Sequence, residues 1–461
     1  MSSLTAPAWT RRPIDVGIPG PTPRDMATGF WSIRADPLSY LAATRERYGD
    51  RVAFPVPGPP ALLLSDPDDV RRVLQTSART WGKDTVQYAA LGRVTGPGLL
   101  ASSEPSWIDH RRLAAPAFHH QRLDRVGVHV AEATDEALAR WEVPWPHGAM
   151  VDVARLTLGV ALDVVGRALF SADLSDQAHR LLEATSAAAR LVVRLGRGIV
   201  PVPEWIPTPL NRRLVQTRRE LDTLCLQLIA TRRATGAGRD GAGGDDLLGL
   251  LVDSGLSDQE IRDELVTMVI AGHETVAAAL TWSLMLLAQD QDAQDRLRTE
   301  ALAHTGPVPM VGTAQRLPWT RAVVDEALRL YPPAWVISRR SHQPDVLSGH
   351  DVPAGTTAII SPWLLHRRAD AWPEPDAFRP ERFLDRSAAR SDYLPFGAGP
   401  RLCIGREFAL GEMTIVLGRL LTAYRIGLPR DWSPPIPQAL IAVHPRGGMP
   451  LHVTPLGGRH P

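Results

Sequence analysis

The segment Phe396-Gly-Ala-Gly-Pro-Arg-Leu-Cys-Ile-Gly405 places one of only two cysteines in a glycine-punctuated loop directly ahead of an apolar helical run. A thiol at a helix N-terminus meets the positive end of the macrodipole and unpaired backbone N–H groups. Arg401 adds a full charge two residues away, so Cys403 is expected to ionise readily and to serve as a soft metal ligand. The pattern Phe-x-x-Gly-x-Arg-x-Cys-x-Gly arises by chance at roughly one starting position in a million or fewer. Cys225, inside the amphipathic run 221–230, reads instead as a small buried hydrophobe. Gly397 and Gly399 begin a Gly-x-Gly, but Leu402 occupies the third-glycine position of a dinucleotide fingerprint. No βαβ unit with a downstream acid surrounds the segment, which argues against nucleotide binding.

A second constellation is Ala271-Gly-His-Glu-Thr275. Ser257 and Glu260 form a capping box that starts a helix, and apolar character then runs from Leu265 to Leu287. That length approaches a membrane span, but His273, Glu274 and Thr275 sit in its middle, so a buried helix through a large core is the better reading. Ala271 and Thr275 fall one turn apart on one face, and Gly272 removes bulk beside them, leaving room for a small ligand. A mid-helix Thr can also simply bond back to the carbonyl one turn earlier.

Three further pairs have chemical spacing. Glu326 and Arg329 share a helical face, and Pro380-Glu-Arg-Phe383 follows. Trp107 and Arg111 lie one turn apart. In Ala334-Trp-Val-Ile-Ser-Arg-Arg340, read as a strand, Arg339 and Arg340 must point to opposite faces, and parity puts Trp335 and Ile337 on the side of Arg339.

Together, in this order, these motifs resemble the cytochrome P-450 superfamily, the haem-thiolate monooxygenases, from about residue 30 to about residue 450. The pattern is similar to that of soluble, eukaryotic-like bacterial members. The resemblance implies that Cys403 is the axial ligand of haem b (iron protoporphyrin IX), within a loop shaped by Phe396, Gly399 and Gly405. The thiolate would push electron density onto iron to favour O–O cleavage. It implies that Ala271 makes room for dioxygen, and that Glu274 and Thr275 deliver the protons that O–O cleavage needs in a dry pocket. It implies that Trp107, Arg111, Arg339 and Arg401 hold the haem propionates, and that Glu326, Arg329 and Arg382 form a buried ion-pair network. Ile270, Ala334, Trp335 and Ile337 would then shape the substrate pocket.

The elements that must position these residues follow from pattern and composition. Asp36-Pro37 opens a helix that Gly49 closes, and strand-like runs begin at Arg51 and Ala61. Residues 105–300 are mostly helical, with a proline-rich break at 200–209 after which a helix starts near Asn211. Residues 235–245 read as a surface loop, and a last helix spans about 405–424. The expected fold is mostly α with small β-sheets, the cytochrome P-450 fold, with haem between the long central helix and the Cys-ligand loop. One haem domain is expected to span residues 1–461, with about 1–30 an extended segment and no fused reductase.

The 461 residues, 44% of them apolar, can bury a large core. A net charge of +1 and the absence of a basic cluster interleaved with aromatics exclude nucleic acid as a partner. Two cysteines with different roles suit a reducing cytoplasm, and the N-terminal residues lack the apolar core of a signal or membrane anchor. Lys83 is the only lysine among 51 basic residues, read as the codon bias of a GC-rich bacterial genome. The expected activity is insertion of one oxygen atom from O2 into an apolar small molecule, by hydroxylation or epoxidation of a terpenoid, polyketide or lipid in secondary metabolism. Electrons would come from a separate ferredoxin and ferredoxin reductase. The alternative is a non-oxygenating haem-thiolate protein, such as an isomerase, dehydratase or ligand-binding haem protein, which has no use for Glu274 and Thr275 as proton donors.

Overall fold

The computed structural model describes residues 13–139, 148–170, 176–196, 203–235, 247–304, 306, 308, 310–385 and 392–456. In chain order their helices are α1 (Pro23–Ala35), α2 (Pro37–Tyr48), α3 (Pro67–Arg71), α4 (Val86–Thr95), α5 (Ser106–Ala114), α6 (His120–Ala139), α7 (Val153–Phe170), α8 (Asp176–Gly196), α9 (Pro209–Thr235), α10 (Leu247–Asp253), α11 (Asp258–Gln289), α12 (Gln291–Ala303), α13 (Thr313–Arg316), α14 (Pro318–Leu330), α15 (Pro362–Leu365) and α16 (Arg406–Ala423). The strands are β1 (Arg51–Phe54), β2 (Ala61–Leu64), β3 (Trp81–Gly82), β4 (Ala149–Asp152), β5 (Ile337–Ser341), β6 (Asp345–Leu347), β7 (His350–Val352), β8 (Thr357–Ile360), β9 (Tyr424–Gly427), β10 (Pro437–Ala439), β11 (Val443–Pro445) and β12 (Pro450–Pro455). The chain divides into two compact units. One comprises Met1–Ala89, Ala334–Ala377 and Ala389–Cys403, and the other Ala90–Pro333, Phe378–Ala388 and Ile404–Pro461.

The first unit is built on a sheet of order β1-β2-β8-β5-β3, with β2 and β8 parallel and the other neighbours antiparallel. Strand alternation sends Leu62 and Leu64 into one apolar cluster with Ile337, Ala358 and Ile360. Leu63 goes to the opposite face with Val52 and Phe54. That two-sided burial explains why 61–64 reads as an unbroken apolar run. Asp36 caps α2 through the Ser39 N–H, and Gly49 ends it at φ 93°.

The extended N-terminal segment ends earlier than expected, because α1 begins at Pro23. Thr22 and Asp25 exchange side-chain and backbone hydrogen bonds in a capping box, and Pro23 occupies a first-turn position that needs no N–H. Helix α9 likewise starts at Pro209, ahead of Asn211, with the Thr208 hydroxyl accepting from the Asn211 N–H. The expected loop at 235–245 lies outside the described residues after Thr235, as does the first part of the 200–209 break.

The second unit packs its helices around α11, opened by the Ser257–Glu260 capping box. Among the described residues α11 is the one helix long and apolar enough to cross a membrane, and 78% of its most apolar window is buried inside the protein. Trp282 of α11 stacks on Tyr331, with ring centroids 3.9 Å apart, and its indole N–H donates to the Val443 carbonyl at 2.8 Å. These contacts pin β11 and the end of α14 to the central helix.

On α14, Glu326 and Arg329 are fully buried and meet through two hydrogen bonds of 2.7 and 2.8 Å. Glu326 also accepts from the Arg379 backbone N–H at 2.9 Å and faces the Arg382 guanidinium at 3.4 Å. One carboxylate thus answers two guanidinium groups that burial would otherwise leave uncompensated. Glu326→Ala is expected to lower stability in urea denaturation by about 3–5 kcal/mol, and a loss under about 1 kcal/mol would remove this network from the forces that hold the core.

Candidate active site

In the first unit the cysteine loop is closed by its own backbone. The Cys403 N–H donates to the Phe396 carbonyl at 3.0 Å and the Leu402 N–H to Gly399 at 3.0 Å. Gly399 has φ +69°, and a Cβ there would lie 1.9 Å from the Leu74 carbonyl oxygen, so the loop seats against the 72–76 turn only with glycine. His366 accepts the Leu394 N–H at 2.8 Å and anchors the start of the segment, a support that no sequence spacing indicated. Cys403 is in no disulfide and is exposed, while Phe396, Arg401 and Gly405 around it are half-buried.

Arg339 and Arg340 do point opposite ways, the first 5% exposed and the second exposed. The Arg339 guanidinium donates to the Ser338 carbonyl at 2.9 Å and to the Tyr88 hydroxyl at 3.4 Å. Among the described residues no carboxylate pairs with it. Lys83, which composition alone made a genomic accident, is 7% exposed with its ammonium 4.7 Å from the Tyr88 ring centroid. Its uniqueness among 51 basic residues was the available signal.

The parity expectation holds for Ile337, which joins the cluster on the Arg339 side of the sheet and lies under Gly397. It fails for Trp335, which packs on the opposite face with Phe54, Leu63 and Ile359. Trp335 precedes the first paired residue of β5, so strand alternation does not govern it. Ala334 is half-buried.

In the second unit α11 is buried from Ile261 to Ala288 except at Ala271, Gly272, Glu274 and Thr275. The accessible window therefore coincides with the motif singled out by sequence. Ile270, next to the window, is fully buried. Gly272 faces α7, where a Cβ would meet Val165 Cγ2 at 2.9 Å and the Val165 side chain would have to shift. The Thr275 hydroxyl donates to the Ala271 carbonyl at 2.7 Å.

Glu274 points to His444 of β11, with Oε2 2.9 Å from Nε2, and its Oε1 lies 3.8 Å from His273. Burial pushes the Glu274 carboxyl up, but the contact with His444, with smaller contributions from the neighbouring His273 and Arg190, outweighs it and holds the group below its usual range. His444 was missed because a lone histidine near the C-terminus carries no spacing signal.

Trp107 and Arg111 share α5, Trp107 being 7% exposed and Arg111 half-buried. Between them His110 fixes the helix to α11, its Nδ1 2.5 Å from Glu264, which also accepts the Leu99 N–H at 2.9 Å.

These features fit a haem b. In the first unit an accessible thiol outside any disulfide could ligate iron, and the buried Arg339, which meets no carboxylate among the described residues, suits a propionate; in the second unit, a core helix is opened at small residues and a hydroxyl. A haem-thiolate protein is the class so defined. A family model for cytochrome P450 matches residues 19–451. The chain is 33% identical to cyclooctatin synthase of Streptomyces melanosporofaciens, over 91% of this chain and 90% of that one. It is 32% identical to pentalenene oxygenase of Streptomyces avermitilis, over 90% and 92%. The crystal structure of CYP175A1 from Thermus thermophilus superposes with a TM-score of 0.77 at 30% identity, covering 95% of this chain and all of that one. The chain belongs to the cytochrome P450 family. It carries haem b and acts as a monooxygenase, using O2 and a redox partner to oxidise an apolar small molecule.

The depressed native value of Glu274 makes its ionised form stabilising. That contribution is complete above the ordinary carboxyl value of 4.5 and is lost as pH falls through the lower native value. Glu274→Gln is therefore expected to be less stable than the parent at neutral pH, with the difference shrinking in urea denaturation series taken to about pH 3. A difference independent of pH would mean that the ionised carboxylate is not what stabilises the site.

Proposed function

We propose that this is a cytoplasmic bacterial enzyme of secondary metabolism that hydroxylates or epoxidises a cyclic terpenoid. It would act as a single haem domain supplied with electrons by a separate ferredoxin and ferredoxin reductase. The observation that carries the reading is the window on α11, where Ala271 and Thr275 offer a small, weakly polar surface suited to a hydrocarbon. The names of the two Streptomyces relatives, cyclooctatin synthase and pentalenene oxygenase, support a terpenoid over a polyketide or lipid. The oxygenase activity named for the second of them also disfavours an isomerase or dehydratase on this fold.

Cys403 would ligate the iron, and Arg339, Arg401, Trp107 and Arg111 would neutralise and orient the propionates, whose burial is otherwise costly. When bound, haem supplies the binding and reductive activation of dioxygen. Thr275 Oγ, released from the Ala271 carbonyl, would present a proton at the window, and Glu274 Oε2 would replenish it. The buried residues flanking the window on α11 exclude bulk water, so protons arrive through these side chains rather than by leakage.

Cys403→Ala is expected to lose the red-shifted Soret band of the ferrous–CO complex, and retention of that band would move the ligand elsewhere. Titration with a panel of monocyclic to tricyclic sesquiterpene and diterpene hydrocarbons and alcohols is expected to give a spin-state difference spectrum for at least some members. Oxygenated product should then require both O2 and an electron donor. Spectral responses confined to fatty acids or polyketides would redirect the substrate assignment.

A further inference from the structure

Two imidazoles flank Glu274, and they are not equivalent. His273 is fully buried, and its Nδ1 lies 2.6 Å from the Val269 carbonyl, so that nitrogen carries the hydrogen. Its Nε2 is then a lone pair, satisfied by the Ser186 hydroxyl at 2.9 Å. Burial pulls the pKa of His273 below its ordinary value. The ring is neutral and has no proton to give Glu274.

His444 differs on each count. Its side chain is 21% exposed although its Nε2 is buried, and that Nε2 lies 2.9 Å from Glu274 Oε2, an ion-pair distance without hydrogen-bond alignment, while the Glu274 side chain is 12% exposed. The strand that carries it is held in place, because the Val443 carbonyl accepts from the buried Trp282 indole on α11, two turns beyond Glu274. The residue opposite His444 on β10 is the uncharged Gln438. Among the described residues, the other charged or titratable groups acting on Glu274 are His273 from α11 and Arg190 from α8, with the Ser186 hydroxyl of α8 on His273.

We propose that His444 is the proton-loading residue of Glu274, a positioning residue that connects the carboxylate to solvent. The inference rests on the reading of Glu274 as the proton-relaying acid of the active site. In the loading step the Nε2–H bond of the His444 imidazolium breaks and an O–H bond forms at Glu274 Oε2. The ring becomes neutral and the carboxylate becomes a carboxylic acid. A turn of the neutral ring then brings the vacated nitrogen to water, which returns the proton, and no electrons move. Ionised Glu274 is the resting state because His444 faces it, and the acid form appears only when a proton has been passed on.

The test compares the holoenzyme with His444→Ala, His444→Lys and Glu274→Gln, each first checked for the thiolate ferrous–CO band. The first readout is the carboxylic acid infrared band that Glu274→Gln removes, followed against pH in resting protein. In His444→Ala that band is expected to appear at higher pH than in the parent, and in His444→Lys to return toward the parent, since a cation again faces the carboxylate. The second readout is the share of donated electrons recovered in product rather than peroxide, with the most rapidly oxidised member of the terpenoid panel as probe. A several-fold loss is expected in His444→Ala, with a larger solvent deuterium isotope effect, and His444→Lys is expected to recover part of the yield with an altered pH profile. Infrared titration and product yield both indifferent to His444→Ala would overturn the inference. If Glu274→Gln lowers the yield while His444→Ala does not, His444 is excluded and the role of Glu274 stands. If Glu274→Gln leaves the yield intact, the reading of Glu274 itself fails.

Discussion

Helix α11 runs for 32 residues through the core of its unit, and nearly every side chain between Ile261 and Ala288 is out of water. A charged side chain placed there needs a partner within the protein, because an uncompensated buried charge costs several kcal/mol. The consequences spread to neighbouring elements. Glu264 holds His110 and the N–H of Leu99, which orients α5 and with it Trp107 and Arg111. Glu274 holds His444, which draws on the C-terminal hairpin, and His273 takes the Ser186 hydroxyl of α8. Around a dry helix, polar pairing rather than apolar packing decides which surrounding segments have one position only.

The same constraint, in a separate place, governs Glu326. A carboxylate shared by Arg329, Arg382 and the Arg379 backbone links α14 to the short turn Pro380–Phe383. Such an arrangement tolerates no exchange of partners, since a guanidinium cannot shed its charge. Apolar contacts can be repacked at modest cost, whereas this site admits one geometry.

Much of this was legible in the sequence where the signal was local. The Ser257–Glu260 box, the Pro37 and Gly49 boundaries of α2 and the cysteine loop rest on short-range backbone chemistry, and they lie where the residues indicate. The start of α1 is equally local, but Thr-x-x-Asp is a weaker signature than Ser-x-x-Glu. What could not be read were partnerships made across the fold. His366 under the cysteine loop, His444 on Glu274 and Tyr88 on Arg339 join residues 28 to 251 positions apart, and no periodicity encodes them. Trp335 shows the limit of alternation, which begins only where a strand is paired. Gly272 shows that a small residue in a motif can answer to a neighbouring helix rather than to a ligand.

Lys83 has a consequence of a different kind. Amine-directed reagents find a single lysine side chain in 461 residues, and that one is 7% exposed against the ring of Tyr88. Acylation at this position therefore measures how often the first unit opens far enough to release the ammonium. The chain carries its own reporter of local opening, separated from acylation of the N-terminal amine by peptide mapping and requiring no introduced label.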